Sequence, residues 1–399
     1  MGTCSFYIAG KFRKRTLSNL ALANELSLSC EELILLAKQS FQNLMTTLLE
    51  FGKISREKNL SRLVTAVNPE KAQDLLEKRQ GIIFFCGHQA NWELLFLDGI
   101  WRFHDGVAVA RPIKNPVLYR WIKSVREKFG GKIVPQQQAL KEGLKALKAG
   151  KFLGIVGDQG MPESPFSSKF LGRTAWTSSA PALLSFKTGC PIIVATIKRK
   201  KHHYFIHYSD PVFPNLQQPM AEETERLMNI SLSYFAQSIK ECPGQWLWQH
   251  NRWKQETPNF LYYRFRQDSV LVVLPRESES FEKFSSVAGL LRDIYPKAFL
   301  SLMIPKDYRD RFSPRDFEIL TYENDQELFF TDYRFKIVFN FTDIIRLRRH
   351  FFKQSALEVL TFSDLYQIAL DHKHIEKETK YPVLEIIKRA LCRPGTFWT

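Results

Sequence analysis

The chain has 399 residues, of which 44% are apolar and 25% charged, an ordinary globular composition that excludes a disordered or collagen-like protein. Lysine and arginine number 57 against 41 aspartates and glutamates, a formal net charge of +16. The surplus is local: residues 101–200 hold 18 basic and 5 acidic side chains, whereas residues 260–399 hold 22 and 20, so an anionic partner is expected beside the central stretch.

Taken in chain order, the first signals are helical. Ser29-Cys30-Glu31-Glu32 reads as a capping box, and Ile34, Phe41, Leu44, Met45, Leu48 and Leu49 follow it at helical spacing. Asn68-Pro69 opens a second helix over 69–79. An alternation of strand and helix then begins. Gly81–Gly87 is a short, continuous apolar run of the kind a buried strand shows. Residues 90–103 predict a helix, 107–110 a strand, 116–129 a helix and 132–135 a strand. Residues 138–149, 178–188 and 220–241 predict further helices, with strands at 151–156, 191–197 and 204–208, the last beside its predecessor. This pattern predicts an α/β sandwich with a largely parallel central sheet. Prolines and aromatics mark a junction near 258–265, which divides the chain into residues 1–258 and a smaller Rossmann-like α/β domain, 259–399. There, 270–274, 298–304 and 335–340 read as strands and 281–293 as a helix.

The six cysteines are scattered, with no CxxC pair and no zinc-like Cys/His spacing, so neither a metal site nor a redox motif is expected. No run of about 18 uncharged apolar residues is present, and no signal peptide is read at the start.

Four segments carry chemistry. Gly87-His88-Gln-Ala-Asn-Trp-Glu93 directly follows a buried strand, which puts His88 at the carboxyl end of a sheet, where open α/β sheets hold ligands. A carboxylate on one imidazole nitrogen leaves the other basic, the arrangement of a general base. Gly157-Asp158-Gln159-Gly160 ends another strand, and Arg111-Pro-Ile-Lys-Asn-Pro116 ends a third. Arg126 lies on the helix after it. Each alone is consistent with an ordinary turn or a solvated face; together they gather at one sheet edge, and a shared cleft explains that better than unrelated turns.

With Gln245-Trp-Leu-Trp-Gln-His-Asn-Arg-Trp-Lys254, these blocks resemble, in order and spacing, the lipid A biosynthesis late acyltransferases over roughly residues 10–258. The resemblance implies transfer of a fatty acyl chain from acyl-carrier protein to a hydroxyl of a Kdo-bearing lipid A precursor, with no cofactor. It implies His88 as general base, Glu93 as the partner of its imidazole, and Arg126, Asp158, Arg111 and Gln159 as substrate-binding. It implies residence at the cytoplasmic face of the inner membrane, on an anionic surface, either peripherally or through a helix missing from this chain. An acyltransferase of the same superfamily with another glycerolipid or glycolipid acceptor is the alternative. A nucleic-acid partner is not expected: the strands are buried apolar runs rather than exposed aromatic platforms, and Lys198–His203 reads as a solvated hairpin edge. Residues 259–399 faintly resemble the first half of heptosyltransferase-type glycosyltransferases. Arg276-Glu277-Ser278 stand where those folds carry Gly-Asp, so a catalytically silent appendage is expected.

Overall fold

The computed structural model describes residues 2–395. The chain forms two compact units. One holds the opening helix, Ala23–Ser27 and Ile34–Arg252; the other holds Ala9–Leu22, Leu28–Leu33 and the chain from Trp253 onward.

The strands of the first unit are β1 (Val64–Val67), β2 (Ile82–Cys86), β3 (Gly106–Ala110), β4 (Lys132–Pro135), β5 (Phe152–Val156), the small hairpin β6 (Ser167–Phe170) and β7 (Arg173–Trp176), β8 (Ile192–Lys200) and β9 (His203–Tyr208). The helices up to its end are α1 (Gly2–Ile8), α2 (Gly10–Leu22), α3 (Cys30–Arg56), α4 (Glu70–Glu77), α5 (Glu93–Phe103), α6 (Pro116–Arg126), α7 (Ala139–Lys148), α8 (Ala180–Thr188) and α9 (Met220–Glu241).

Seven strands form one sheet in the order β1-β9-β8-β2-β5-β3-β4. All neighbours are parallel except β8 and β9, which pair as an antiparallel hairpin. The chain passes from β2 over to β3 and returns to β5 only after β4, so β5 slots between them. Cys86 thereby lies opposite Val156, and the residues that follow each strand emerge side by side. The continuous apolar runs are what a sheet covered on both faces requires. On one face Phe84 packs with Phe103, Phe152 and Tyr208. On the other, Phe85 meets Phe235 of α9.

The predicted α/β architecture is the one observed, and the differences have local causes. Edge strand β1 and the hairpin β6–β7 lack the buried apolar run that marks a central strand. Helix α5 starts at Glu93 rather than at 90, because Ala90 takes a left-handed conformation with φ +46° and breaks the helical path.

In the second unit β10 (Ser269–Val273), β11 (Phe299–Pro305), β12 (Glu318–Tyr322), β13 (Ile337–Asn340) and β14 (Glu358–Thr361) form an all-parallel sheet. Its order is β12-β11-β10-β13-β14, which is the doubly wound 3-2-1-4-5 order. The short edge strands β12 and β14 escape prediction for the same reason as β1. The helix predicted over 281–293 is two, α10 (Ser278–Ser285) and α11 (Val287–Ile294). The helices α12 (Arg346–Lys353), α13 (Phe362–Asp371) and α14 (Val383–Leu391) complete the unit. Helix α2 belongs to it as well: Ser18 donates to the Arg334 carbonyl at 2.7 Å and Lys14 to that of Ala356 at 2.6 Å.

The core of the second unit contains a fully buried ion pair. Lys336 donates to Asp268 at 2.5 Å, both side chains being 2% exposed. Burial pulls the lysine down, and the carboxylate opposes it. Removing one partner strands the other charge, so Asp268→Ala should lower the unfolding free energy by about 3–5 kcal/mol in denaturant titrations. Asp268→Leu with Lys336→Met should recover most of that loss, because an apolar pair of similar size carries no desolvation cost.

Candidate active site

His88 and Asp158 lie just past the carboxyl ends of neighbouring strands β2 and β5. Each follows a glycine that close packing demands. A Cβ on Gly87 would come within 2.0 Å of the Phe235 ring, and one on Gly157 within 2.2 Å of Phe85. With the backbone so close to the core, the next residue is held at a fixed place on the sheet edge.

The loop that carries His88 is fastened by the segment before the unit's end. Leu247 N–H donates to the His88 carbonyl at 3.0 Å, and Ala90 N–H to that of Gln245 at 2.7 Å. Gln89 and Ser238 exchange two bonds of 3.0 Å. From α3, Asn43 and Thr47 both donate to the Ala90 carbonyl, at 3.1 and 2.9 Å. The left-handed Ala90 is thus over-determined by its neighbours.

Asp158 is fully buried and accepts three N–H groups. His88 Nδ1 lies 2.8 Å from Oδ1, the His88 backbone N–H is 2.7 Å from Oδ2, and Trp246 Nε1 is 2.8 Å from Oδ2. Burial alone would raise this carboxyl; the His88 charge and hydrogen bonds, His250 and the Trp246 N–H overcome it and hold the group far below the usual carboxylate range. A carboxylate on Nδ1 fixes the tautomer with the proton there and leaves Nε2 as the basic nitrogen. The imidazole retains 15% exposure, and its ring lies 4.5 Å from that of His250 and 5.1 Å from that of Trp92.

Glu93 does something else. Its carboxylate receives Arg126 Nε and Nη2, each at 2.7 Å, in a fork-on-fork pair between α5 and α6. Burial lowers the guanidinium, and the Glu93 hydrogen bonds and charge more than offset it, leaving Arg126 above its ordinary range. The expectation that Glu93 carries the His88 imidazole is therefore corrected: Asp158 does so. Asp158, expected to bind substrate, is buried with both oxygens hydrogen-bonded to His88 and Trp246. Arg111 and Gln159 are exposed, and among the described residues neither bonds to His88, Glu93 or Asp158. The Arg111 guanidinium reaches Gln136 at 3.5 Å.

Residues 1–255 match the family described as bacterial lipid A biosynthesis acyltransferase. The chain belongs to that family. No curated protein matches it.

The candidate site is bordered by further residues for which the sequence suggests no role. Trp246, His250 and Arg252 all lie in the block 245–254. Arg252 is fully buried, donates to the Trp176 carbonyl at 2.9 Å and to Thr177 at 2.7 Å, and stacks on Phe170. Burial pulls it down to about 10, with the Asp158 charge acting in the opposite sense. Cys86, at the end of β2, is pushed up to about 12 by burial and by the same charge, so it stays a thiol. Asn91 donates to Glu50 at 3.0 Å, and the Tyr204 hydroxyl donates to the same carboxylate, which ties the far end of the motif to α3 and β9.

Two expectations follow. Asp158→Asn leaves buried N–H donors without an acceptor and should cost about 3 kcal/mol at neutral pH. Because the folded carboxyl sits below its unfolded value of about 4, its contribution is complete above that pH and fades as pH falls toward the folded value. The stability gap between wild type and variant should therefore be flat from about pH 5 to 8 and narrow below about pH 4 in acid-unfolding titrations. Arg126→Lys should not substitute for the two-pronged pair: both Arg126→Lys and Arg126→Ala should lose stability in thermal melts, about 3 kcal/mol for the alanine.

Proposed function

We propose that the enzyme transfers a fatty acyl chain from the thioester of an acyl-carrier protein to a hydroxyl of a Kdo-bearing lipid A precursor, with His88 as general base. The observation that carries this reading is the Asp158 carboxylate on His88 Nδ1 at the open end of the sheet. A lipid hydroxyl is a poor nucleophile until its proton is removed, and Nε2 is the atom able to take it. The alcohol oxygen attacks the thioester carbon as the proton passes to Nε2, giving a tetrahedral oxyanion and an imidazolium. Asp158 stabilises that imidazolium without taking its proton, as befits a carboxyl held so far below its normal range. Collapse breaks the carbon–sulfur bond; the departing thiolate takes the proton from Nε2, and the new ester and the carrier thiol leave. The phosphopantetheine arm belongs to the donor, so this chain needs no cofactor of its own.

Glu93 and Arg126 hold the mouth of the site in shape, and the guanidinium offers its remaining N–H groups to a phosphate of the acceptor or to the oxyanion. The basic surplus of residues 101–200 suits a phosphorylated lipid, an acidic carrier and the anionic inner-membrane surface where such substrates reside. No helix among the described residues is long and apolar enough to cross a membrane, and the proposed attachment at the cytoplasmic face is peripheral as far as these residues go.

Mass spectrometry of lipid A from cells with and without the gene tests the reaction: loss of one secondary acyl chain is expected, and an unchanged spectrum overturns the reading. In the purified enzyme, His88→Ala should cut turnover by about 10²–10⁴-fold in protein that still folds, with a lowered thermal melt because Asp158 loses one of its three donors, and full activity in that variant excludes the base assignment.

A further inference from the structure

Helix α6 has an apolar stripe that runs off the protein. Val117, Leu118, Trp121, Ile122 and Val125 fall on one arc at helical spacing, with Arg120, Lys123 and Ser124 on the other side. The C-terminal half of the stripe is used: Val125 is buried, Ile122 packs on the core below β2, and the Trp121 ring meets Phe51 of α3 edge-on at 5.1 Å. The N-terminal half is not. Val117 is 65% and Leu118 42% exposed, and Trp121 between the halves stays 43% exposed beside its contact with Phe51. Asn115 caps this exposed end by accepting from the Val117 and Leu118 N–H groups, so it is a built helix start rather than a frayed one.

On α3, Leu48, one turn before Phe51 and so on the side that meets Trp121, is 59% exposed. Basic residues border this surface. From 111 to 128 the chain carries Arg111, Lys114, Arg120, Lys123, Arg126 and Lys128 against the single acid Glu127. Arg111, Lys114 and Arg120 are exposed, as is Lys53 on α3. The patch also lies at the site. The loop before α6 leaves the carboxyl end of β3, and the last residue of α6 grips Glu93, five positions after His88.

We propose that this face, the first two turns of α6 with Leu48 of α3, is an interfacial docking surface that seats the catalytic edge on an anionic bilayer. Aliphatic and tryptophan side chains enter the headgroup–acyl boundary, while Arg111, Lys114, Arg120 and Lys53 meet lipid phosphates. Charge complementarity selects the occupant, and an uncovered aliphatic and indole stripe ringed by Lys and Arg is the composition of an interface-lying helix. The inference rests on the proposed lipid acceptor, which must reach His88 from a membrane.

The test is flotation of the full chain with vesicles of phosphatidylethanolamine and phosphatidylglycerol, against phosphatidylcholine alone. Wild type should float with the anionic vesicles, and high salt should weaken this attachment without abolishing it. Val117→Glu with Leu118→Glu should lower vesicle partitioning about tenfold or more. Turnover of a detergent-dispersed acceptor should stay near the wild-type value, with an unchanged thermal melt. Should that variant melt early, Val117→Ser with Lys114→Glu, both at exposed positions, provides the same comparison. Undiminished flotation of a folded variant overturns the proposal. So does intact flotation with a raised KM for the acyl-carrier donor, which would give the stripe to the carrier protein, or a loss of self-association, which would give it to a second copy. If wild type floats as expected but acylates no lipid A precursor in detergent, the proposed reaction fails and the docking surface stands.

Discussion

The site depends on one buried carboxylate. Asp158 has lost its water entirely, which for an isolated charge is among the most costly steps in folding. It is offset by three N–H donors from two different parts of the chain: the backbone and ring of His88, and the indole of Trp246. Because each donor must be in place for the charge to be tolerable, the ionised carboxylate selects the conformation of the β2 loop, the β5 loop and the 245–248 segment at once. The tight glycines before His88 and Asp158, the left-handed Ala90 and the rings of Phe85 and Phe235 are the means by which the sheet supports that selection. In the proposed reaction the chemistry comes from the preference of a fixed anion for a charged imidazole, which is a property of the folded site before any substrate arrives.

The strands, their order of appearance and the edge on which the functional blocks gather were legible in the sequence, because buried parallel strands write themselves as continuous apolar runs ended by glycine. Which carboxylate meets His88 was not. Glu93 lies five residues from it in sequence, and Asp158 lies seventy away. The choice is made by β5 inserting between β2 and β3, a long-range pairing that leaves no local pattern. Glu93 is then claimed by Arg126, whose helix comes back beside α5. The pair that sequence spacing favours thus gives way to two pairs that topology creates. Trp246 was in plain view, but an indole among several aromatics does not announce that its N–H is needed as a donor. The edge strands β1, β12 and β14 were missed for a related reason: half in solvent, they lack the signature that burial imposes.

The Glu93–Arg126 pair also sets how α6 is presented. A bidentate guanidinium–carboxylate contact constrains both distance and plane, unlike a lysine contact. It fixes the last turn of α6 to the start of α5, one turn beyond the His88 loop. Val125 and the Phe51–Trp121 contact hold the same half from the apolar side. With its C-terminal half clamped on two sides and its N-terminal half capped by Asn115, the helix projects its stripe at a set angle to the catalytic edge. Rigidity there serves the acyltransferase, since a surface meant to orient an enzyme is useful only if its direction relative to the reacting atoms is constant.

The second unit shows how topology and chemistry separate. Its 3-2-1-4-5 sheet is the arrangement in which nucleotide phosphates are held at the start of the helix after the first strand, by the N–H groups the helix leaves open. Here that helix is α10, and two of its open N–H groups are taken. The Glu277 carboxylate accepts from Glu279 N–H at 2.9 Å and Ser280 N–H at 2.6 Å, and those bonds lower its own protonation point. A negative charge already sits where a phosphate would have to sit, and a phosphate would meet repulsion in addition to lost donors. Arg276-Glu277-Ser278 follow the first strand, and the glutamate satisfies two N–H groups of the helix from within the chain, so the sheet order by itself assigns the unit no phosphate site.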